Sequence, residues 1–170
     1  MTPEQEKHHE RVREDAKDHH DALRKNLADS FTLVGSFSNA AMRAPALAAA
    51  AGIAGLLGFY SANNKVLAGS VGIEHFNSAL LYLCGSVLLC VLAPSVAYLT
   101  QSCFTHSFGA MRYIWEHPFS KETRAAKIWG AVGYLLQAIC IIIVLGSIVA
   151  LIVGGWHFLQ LANFVASTKS

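Results

Sequence analysis

Charge is scarce in this chain and is distributed unevenly. Asp, Glu, Lys and Arg together make up 14% of the 170 residues, and none occurs between Ile128 and Thr168. In a typical soluble domain, about a quarter of the residues are charged. Residues 1–43 hold most of the charge, with seven of the thirteen Lys and Arg and eight of the eleven Asp and Glu. The composition therefore predicts a polar head followed by a membrane-embedded body.

Recognisable chemical motifs are also missing. The sequence contains no Gly-rich phosphate loop, no assembly of Ser, His and Asp typical of hydrolases, and no pair of carboxylates inside an apolar segment. The four cysteines form no CxxC pair, and we interpret them as buried thiols that act as small hydrophobes. These observations predict a protein that is not an enzyme and that has no cofactor and no metal site.

Apolar runs define the predicted fold, an all-α membrane protein with three transmembrane helices and a cytoplasmic N-terminal helix. Roughly 20 apolar residues span a bilayer as a helix. The predicted spans are residues 44–60, 77–101 and 130–153. Residues 1–43 form the head domain and residues 44–170 the transmembrane domain. Pro94 is expected to bend the second span.

The segments between the spans are predicted from their polar residues. Residues 36–43 are expected to be a short connector, and residues 61–76 and 102–127 to be loops. The third helix is expected to start near Ser120 and Lys121. Gly154-Gly155 is expected to break that helix, so that residues 156–166 lie in the interface or form a fourth short span.

The head is predicted to be a helix over residues 3–34, solvated or lying on the membrane surface. Two histidine pairs, His8-His9 and His19-His20, are interpreted as part of the solvated face, with weak metal chelation as the alternative. A thin apolar seam permits weak self-association of this helix. The head is not strongly basic, so nucleic acid is not expected as a partner.

Histidines near the ends of the spans are the candidate cofactor ligands. His75 and His157 are expected near the outer membrane boundary, and His106 and His117 near the inner one. Paired histidines can ligate haem, but the ligands then project inward from facing helices. His75 and His157 meet if the spans pack together, and would then form a proton-linked or metal site.

Small residues in the first span are the candidate helix-packing positions. Pairs of small residues four apart let helix backbones approach closely in lipid. They are Ala48, Ala51, Gly52, Ala54, Gly55 and Gly58. They predict packing either within one chain or between copies.

The cations predict an orientation in a bacterial inner membrane. The head has seven Lys and Arg, the first loop one, the second loop four and the tail one. Cations favour the cytoplasm, so the N-terminus is expected there and the C-terminus in the periplasm.

The leading functional hypothesis is a self-associating scaffold or accessory subunit of a larger membrane complex, with the lipid bilayer and further copies as partners. The alternatives are a pore-forming, holin-like or defence protein, and a haem- or quinone-binding subunit of an electron-transfer complex.

Overall fold

Three long helices dominate the structure, a computed structural model that describes residues 3–115 and 117–169 without the side chains of Val34, Phe37–Asn39, Ala41 and Lys169. The helices are α1 (Pro3–Leu67), α2 (Gly72–Gly109) and α3 (Arg124–Lys169). A two-stranded antiparallel hairpin of β1 (Arg112–Tyr113) and β2 (Ser120–Lys121) lies between α2 and α3.

Each of the three helices contains a segment long and apolar enough to cross a membrane. The segments are Met42–Leu67, Gly72–Gly109 and Arg124–Thr168. The predicted helical class and the number of such segments are therefore confirmed, with the small hairpin as an addition. The segments are longer than the predicted spans, because a helix can continue through polar residues at either end of an apolar run.

The predicted connector and loops are mostly helical. Residues 36–43 lie inside α1, and residues 68–71 alone separate α1 from α2. Asn63 has non-helical angles (φ −122°, ψ 16°) and marks a kink. Gly69 has a φ of +76°, a left-handed conformation that glycine adopts without steric cost, and it ends the first helix. The prediction of a long first loop is wrong, because the residues on both sides of the kink at Asn63 are helical and only residues 68–71 lie between α1 and α2.

The predicted start of α3 is also wrong. Ser120 and Lys121 lie in β2, and α3 begins at Arg124. Thr123 caps the helix, since its hydroxyl accepts a hydrogen bond from the Ala126 amide at 3.1 Å. The same hydroxyl donates to the Ala110 carbonyl at 2.7 Å. Thr123 thus ties the start of α3 to the end of α2.

The expected break at Gly154-Gly155 does not occur, because α3 is helical throughout Arg124–Lys169. A Cβ atom at Gly154 would lie 2.9 Å from Leu83 Cγ and 3.3 Å from the Leu83 backbone nitrogen. Gly154 therefore serves the close approach of α2 and α3. Residues 156–166 continue α3 and are not a separate helix.

The chain divides into two compact units, residues 1–37 with 97–137 and residues 38–96 with 138–170. In the second unit, a buried apolar cluster joins α1, α2 and α3. It consists of Ala49, Leu56, Leu67, Phe76, Ala79, Leu83, Leu161 and Val165. Large apolar side chains elsewhere in this unit are exposed, including Leu81 and Ile142. In the first unit, the head residue Ala16 is completely buried.

The four cysteines are free thiols with different environments. Cys90 and Cys103 are buried and Cys140 is half-buried, whereas Cys84 is exposed. The interpretation of all four as buried is therefore wrong for Cys84, which the apolar composition around it did not reveal.

Candidate functional sites

The head part of α1 binds the hairpin through His20. The His20 Nε2 atom lies 2.9 Å from the Phe119 carbonyl oxygen. A carbonyl can only accept, so His20 donates and its Nε2 carries the proton. The same carbonyl accepts a hydrogen bond from the Ile114 amide at 3.0 Å. One acceptor therefore closes the hairpin and holds the head against it.

Aromatic rings surround His20 on the hairpin side. The centroid of its ring lies 4.7 Å from that of Tyr113 and 5.9 Å from that of Trp115, both in edge-to-face geometry. Arg13 lies over Trp115 at 5.7 Å and Arg24 over Tyr113 at 5.9 Å. Such cation–π contacts contribute about 0.5–1 kcal/mol each at exposed sites. The sequence predicts that the head helix is solvated or lies on the membrane surface. In the structure, one face of this helix contacts the hairpin.

An open cleft of about 940 Å³ lies beside this contact in the same unit. Its lining combines acidic, imidazole and aromatic side chains with one arginine. These residues are Glu6, His8, His9, Glu10, Val12, Arg13, Trp115, His117 and Phe119. The mixture of charges selects no single class of ligand.

His75 on α2 and His157 on α3 contact each other. Their Nδ1 atoms are 3.4 Å apart, and their ring centroids are separated by 5.7 Å. The ring of Tyr82 is stacked parallel to that of His157, at 5.8 Å between centroids and 6° between planes. The pair that the sequence could only suggest is brought together, with Tyr82 as a neighbour that the sequence analysis missed.

His106 and His117 belong to different surroundings. His106 lies in the last turn of α2, with its ring 5.2 Å from that of Trp129. His117 is exposed in the hairpin, and its ring is 5.7 Å from that of Phe119. Haem bound between two histidines requires the iron and its porphyrin plane to lie between the rings. The direct contact of His75 with His157 leaves no such space.

The predicted packing residues of α1 divide between a contact inside the chain and an exposed surface. Gly52 faces α2, since a Cβ atom there would lie 3.3 Å from the Leu83 methyl carbons. The other five are exposed: Ala48, Ala51, Ala54, Gly55 and Gly58. Packing within the chain and an unoccupied small-residue surface therefore coexist on one helix.

The side chains that commonly bind metal ions were searched for groups of three or more. Within residues 3–115 and 117–169, no group of three or more His, Cys, Asp or Glu side chains is placed to hold an ion.

The sequence analysis missed the contact between His20 and the hairpin because the partners are 99 residues apart. Helical periodicity reports which residues share a face, and it does not report which distant segment covers that face. The incomplete apolar seam of the head, at Val12, Ala16 and Leu23, was the available signal that something packs there.

Comparisons with known protein families, curated proteins and solved structures find no match to this chain. The fold and the contacts described above are therefore the basis for a functional proposal.

Proposed function

We propose that this chain is a non-enzymatic integral membrane protein that self-associates and acts as a scaffold or accessory subunit of a membrane complex. The observation that carries the proposal is a continuous exposed surface of small residues on α1, which we call the small-residue flank. It consists of Ala44, Ala48, Ala51, Gly55, Gly58 and Ala62, all exposed.

The geometry of the small-residue flank suits contact between helices in lipid. Its members are spaced three or four residues apart, so they lie on one face. From Ala44 to Ala62 the flank extends about 27 Å at about 1.5 Å per residue, close to the thickness of a bilayer core. A Cβ atom added at Gly55 or Gly58 would meet nothing within 4 Å. A second helix backbone can therefore approach closely along this face.

The exposed apolar surface supports membrane insertion. Side chains such as Leu81 and Ile142 are 71% and 67% exposed although both lie in long apolar helices. Soluble monomers rarely expose contiguous apolar patches of more than a few hundred square ångströms. Hydrocarbon chains are the solvent that makes such exposure favourable.

The pairing of segments supports the proposed orientation, with the head in the cytoplasm and the C-terminus outside, in a bacterial inner membrane. The head contacts the hairpin between α2 and α3 through His20 and Phe119. His75, near the start of α2, contacts His157 in the C-terminal part of α3. In a chain with three crossings, these are the pairs of segments that lie on the same side. The head and the hairpin also carry most of the cations, which favour the cytoplasm.

The test is the oligomeric state of the full-length chain in mild detergent, measured by light scattering and by cross-linking in native membranes. We expect an oligomer that becomes monomeric when Gly55→Ile and Gly58→Ile are combined. The matched control is Ala50→Ile, an exposed position on the other flank. A monomeric wild type, or an oligomer that resists the paired substitution, contradicts self-association through this surface.

The same flank favours a second candidate, a membrane-permeabilising protein, because lateral assembly would be its first step. A membrane-potential dye during induced expression separates the two functions. Depolarisation that disappears with Gly55→Ile and Gly58→Ile supports the permeabilising function. An oligomer that causes no depolarisation supports the scaffold.

A further inference from the structure

The Nδ1 atoms of His75 and His157 are 3.4 Å apart, a distance that two nitrogen ligands of one metal ion adopt. We propose that the two imidazoles bind a divalent late first-row metal ion, with Zn²⁺ as the reference ion, through their Nδ1 atoms. Imidazole nitrogen suits Zn, Cu and Ni, so the donor set selects this class of ion over Mg²⁺ and Ca²⁺. The inference does not depend on self-association.

The distance between the two nitrogens carries the proposal. Zinc binds histidine nitrogen at about 2.0–2.1 Å in tetrahedral geometry, which places two ligand nitrogens about 3.3–3.4 Å apart. The observed Nδ1–Nδ1 distance is 3.4 Å. A long N–H···N hydrogen bond has a similar length, so the two nitrogens are already spaced for either arrangement, and an added ion would replace the shared proton.

The rings are held in place by the packing around them. Phe76, which follows His75, and Leu161, one turn after His157, are both members of the buried cluster. Tyr82 stacks on the ring of His157 and restricts its plane. A site that exists before the metal arrives loses little entropy on binding.

The site is open, because the protein supplies two ligands. Imidazole binds a metal ion in its neutral form, so a bound dication keeps its full charge and needs water or an anion at the remaining positions. Both histidines are half-buried, and the neighbouring Glu74 is exposed. The expected ligand is an exchangeable ion with bound water, held more weakly than in a structural four-ligand site.

Zinc titration of the full-length chain in detergent tests the proposal. The chain carries ¹⁵N-labelled histidine, and imidazole spectra are recorded as Zn²⁺ is added. We expect one equivalent to shift the Nδ1 resonances of two histidines together. His75→Gln and His157→Gln should each weaken this binding by about tenfold or more, as loss of half of the protein ligands requires.

Controls separate this site from the other histidines. His106→Gln and His9→Gln should leave the tightest binding unchanged, because neither residue contacts the pair. Binding that survives both His75→Gln and His157→Gln overturns the proposal, as does binding lost with His9→Gln. If the His75→Gln and His157→Gln variants fail to fold, the spectra of the wild-type chain test the proposal by showing which imidazole nitrogens bind zinc. Two Nδ1-coordinated histidines support the site, and coordination through Nε2 alone, or none at one equivalent, contradicts it.

Discussion

The hydroxyl of Ser86 donates a 2.8 Å hydrogen bond to the backbone carbonyl of Ser147, and thereby joins α2 to α3. Both residues are buried, at 0% and 1% exposure. The Ser147 hydroxyl in turn donates to the Val144 carbonyl at 2.7 Å. Among long apolar side chains, this polar contact favours one register of the two helices, because the Ser86 hydroxyl has its acceptor on α3.

Ser86→Ala removes this hydrogen bond without adding volume. We expect the free energy of unfolding to fall by about 0.5–1.5 kcal/mol, and by about 0.6 kcal/mol if the contact lies within lipid. Unfolding in mixed micelles with increasing sodium dodecyl sulfate measures the change. Ser95→Ala, at an exposed position of the same helix, is the control and should change stability by less. Equal effects of the two substitutions would show that the contact with Ser147 contributes nothing.

Gly154→Val tests the close packing of α3 against Leu83. The new Cβ atom would lie 2.9 Å from Leu83 Cγ and 3.3 Å from the Leu83 backbone nitrogen, so the Leu83 side chain or the two helices must shift. Overpacking of this kind costs about 1–3 kcal/mol, measured by the same unfolding experiment. Gly155→Ala is the matched control, since nothing lies within 4 Å of its added Cβ. Alanine is favoured over glycine in a helix by about 1 kcal/mol, so this variant should be more stable than wild type. A loss of stability with Gly155→Ala would instead support a break at the glycine pair.

The sequence was sufficient to predict the three apolar helices, but it was not sufficient to predict the role of Gly154. Long apolar runs identified the three helices that can cross a membrane. A helix surface that faces lipid needs only to be apolar, so it can be recognised without knowledge of any contacting segment. Gly154-Gly155 was interpreted as a break, whereas one of the two glycines accommodates Leu83. Whether a glycine bends a helix or admits a neighbour depends on that neighbour, and local sequence does not encode it.

The candidate sites follow the same rule. The small residues of α1 were identified from their spacing alone, but their division between an internal contact and an exposed flank required the position of α2. His75 and His157 were named separately, and their contact across 82 residues required the packing of α2 on α3. His20 was assigned to a solvated face because the hairpin that covers it has no periodic pattern.

His20→Ala should release the head from the hairpin. The substitution removes the hydrogen bond to the Phe119 carbonyl and the ring contacts with Tyr113 and Trp115. We expect amide hydrogen exchange in the head to accelerate about tenfold, which corresponds to about 1.4 kcal/mol. Mass spectrometry of labelled peptides measures it. Lys17→Ala changes an exposed residue of the head and should have a smaller effect. Equal exchange in wild type and His20→Ala would mean that His20 does not hold the head.

Ile142→Arg tests membrane insertion directly. Ile142 is 67% exposed, so in water the substitution would be tolerated. At the centre of a bilayer-spanning helix, arginine costs about 2.5–3.5 kcal/mol. We expect a smaller fraction of the chain to resist extraction from membranes by alkaline carbonate. Leu33→Arg, at a residue that is 61% exposed in the head, should leave that fraction unchanged. The same response to both substitutions would contradict insertion of α3.

Cys84 is the exposed thiol among the four cysteines. If α2 crosses a bilayer as proposed, the sulfur of Cys84 faces acyl chains, which water-soluble maleimides do not reach. Its labelling rate would then rise when detergent replaces lipid, while buried Cys90 and Cys103 stay unlabelled until the chain unfolds. The native chain thus carries a thiol whose reactivity reports the immersion depth of α2, without an engineered probe.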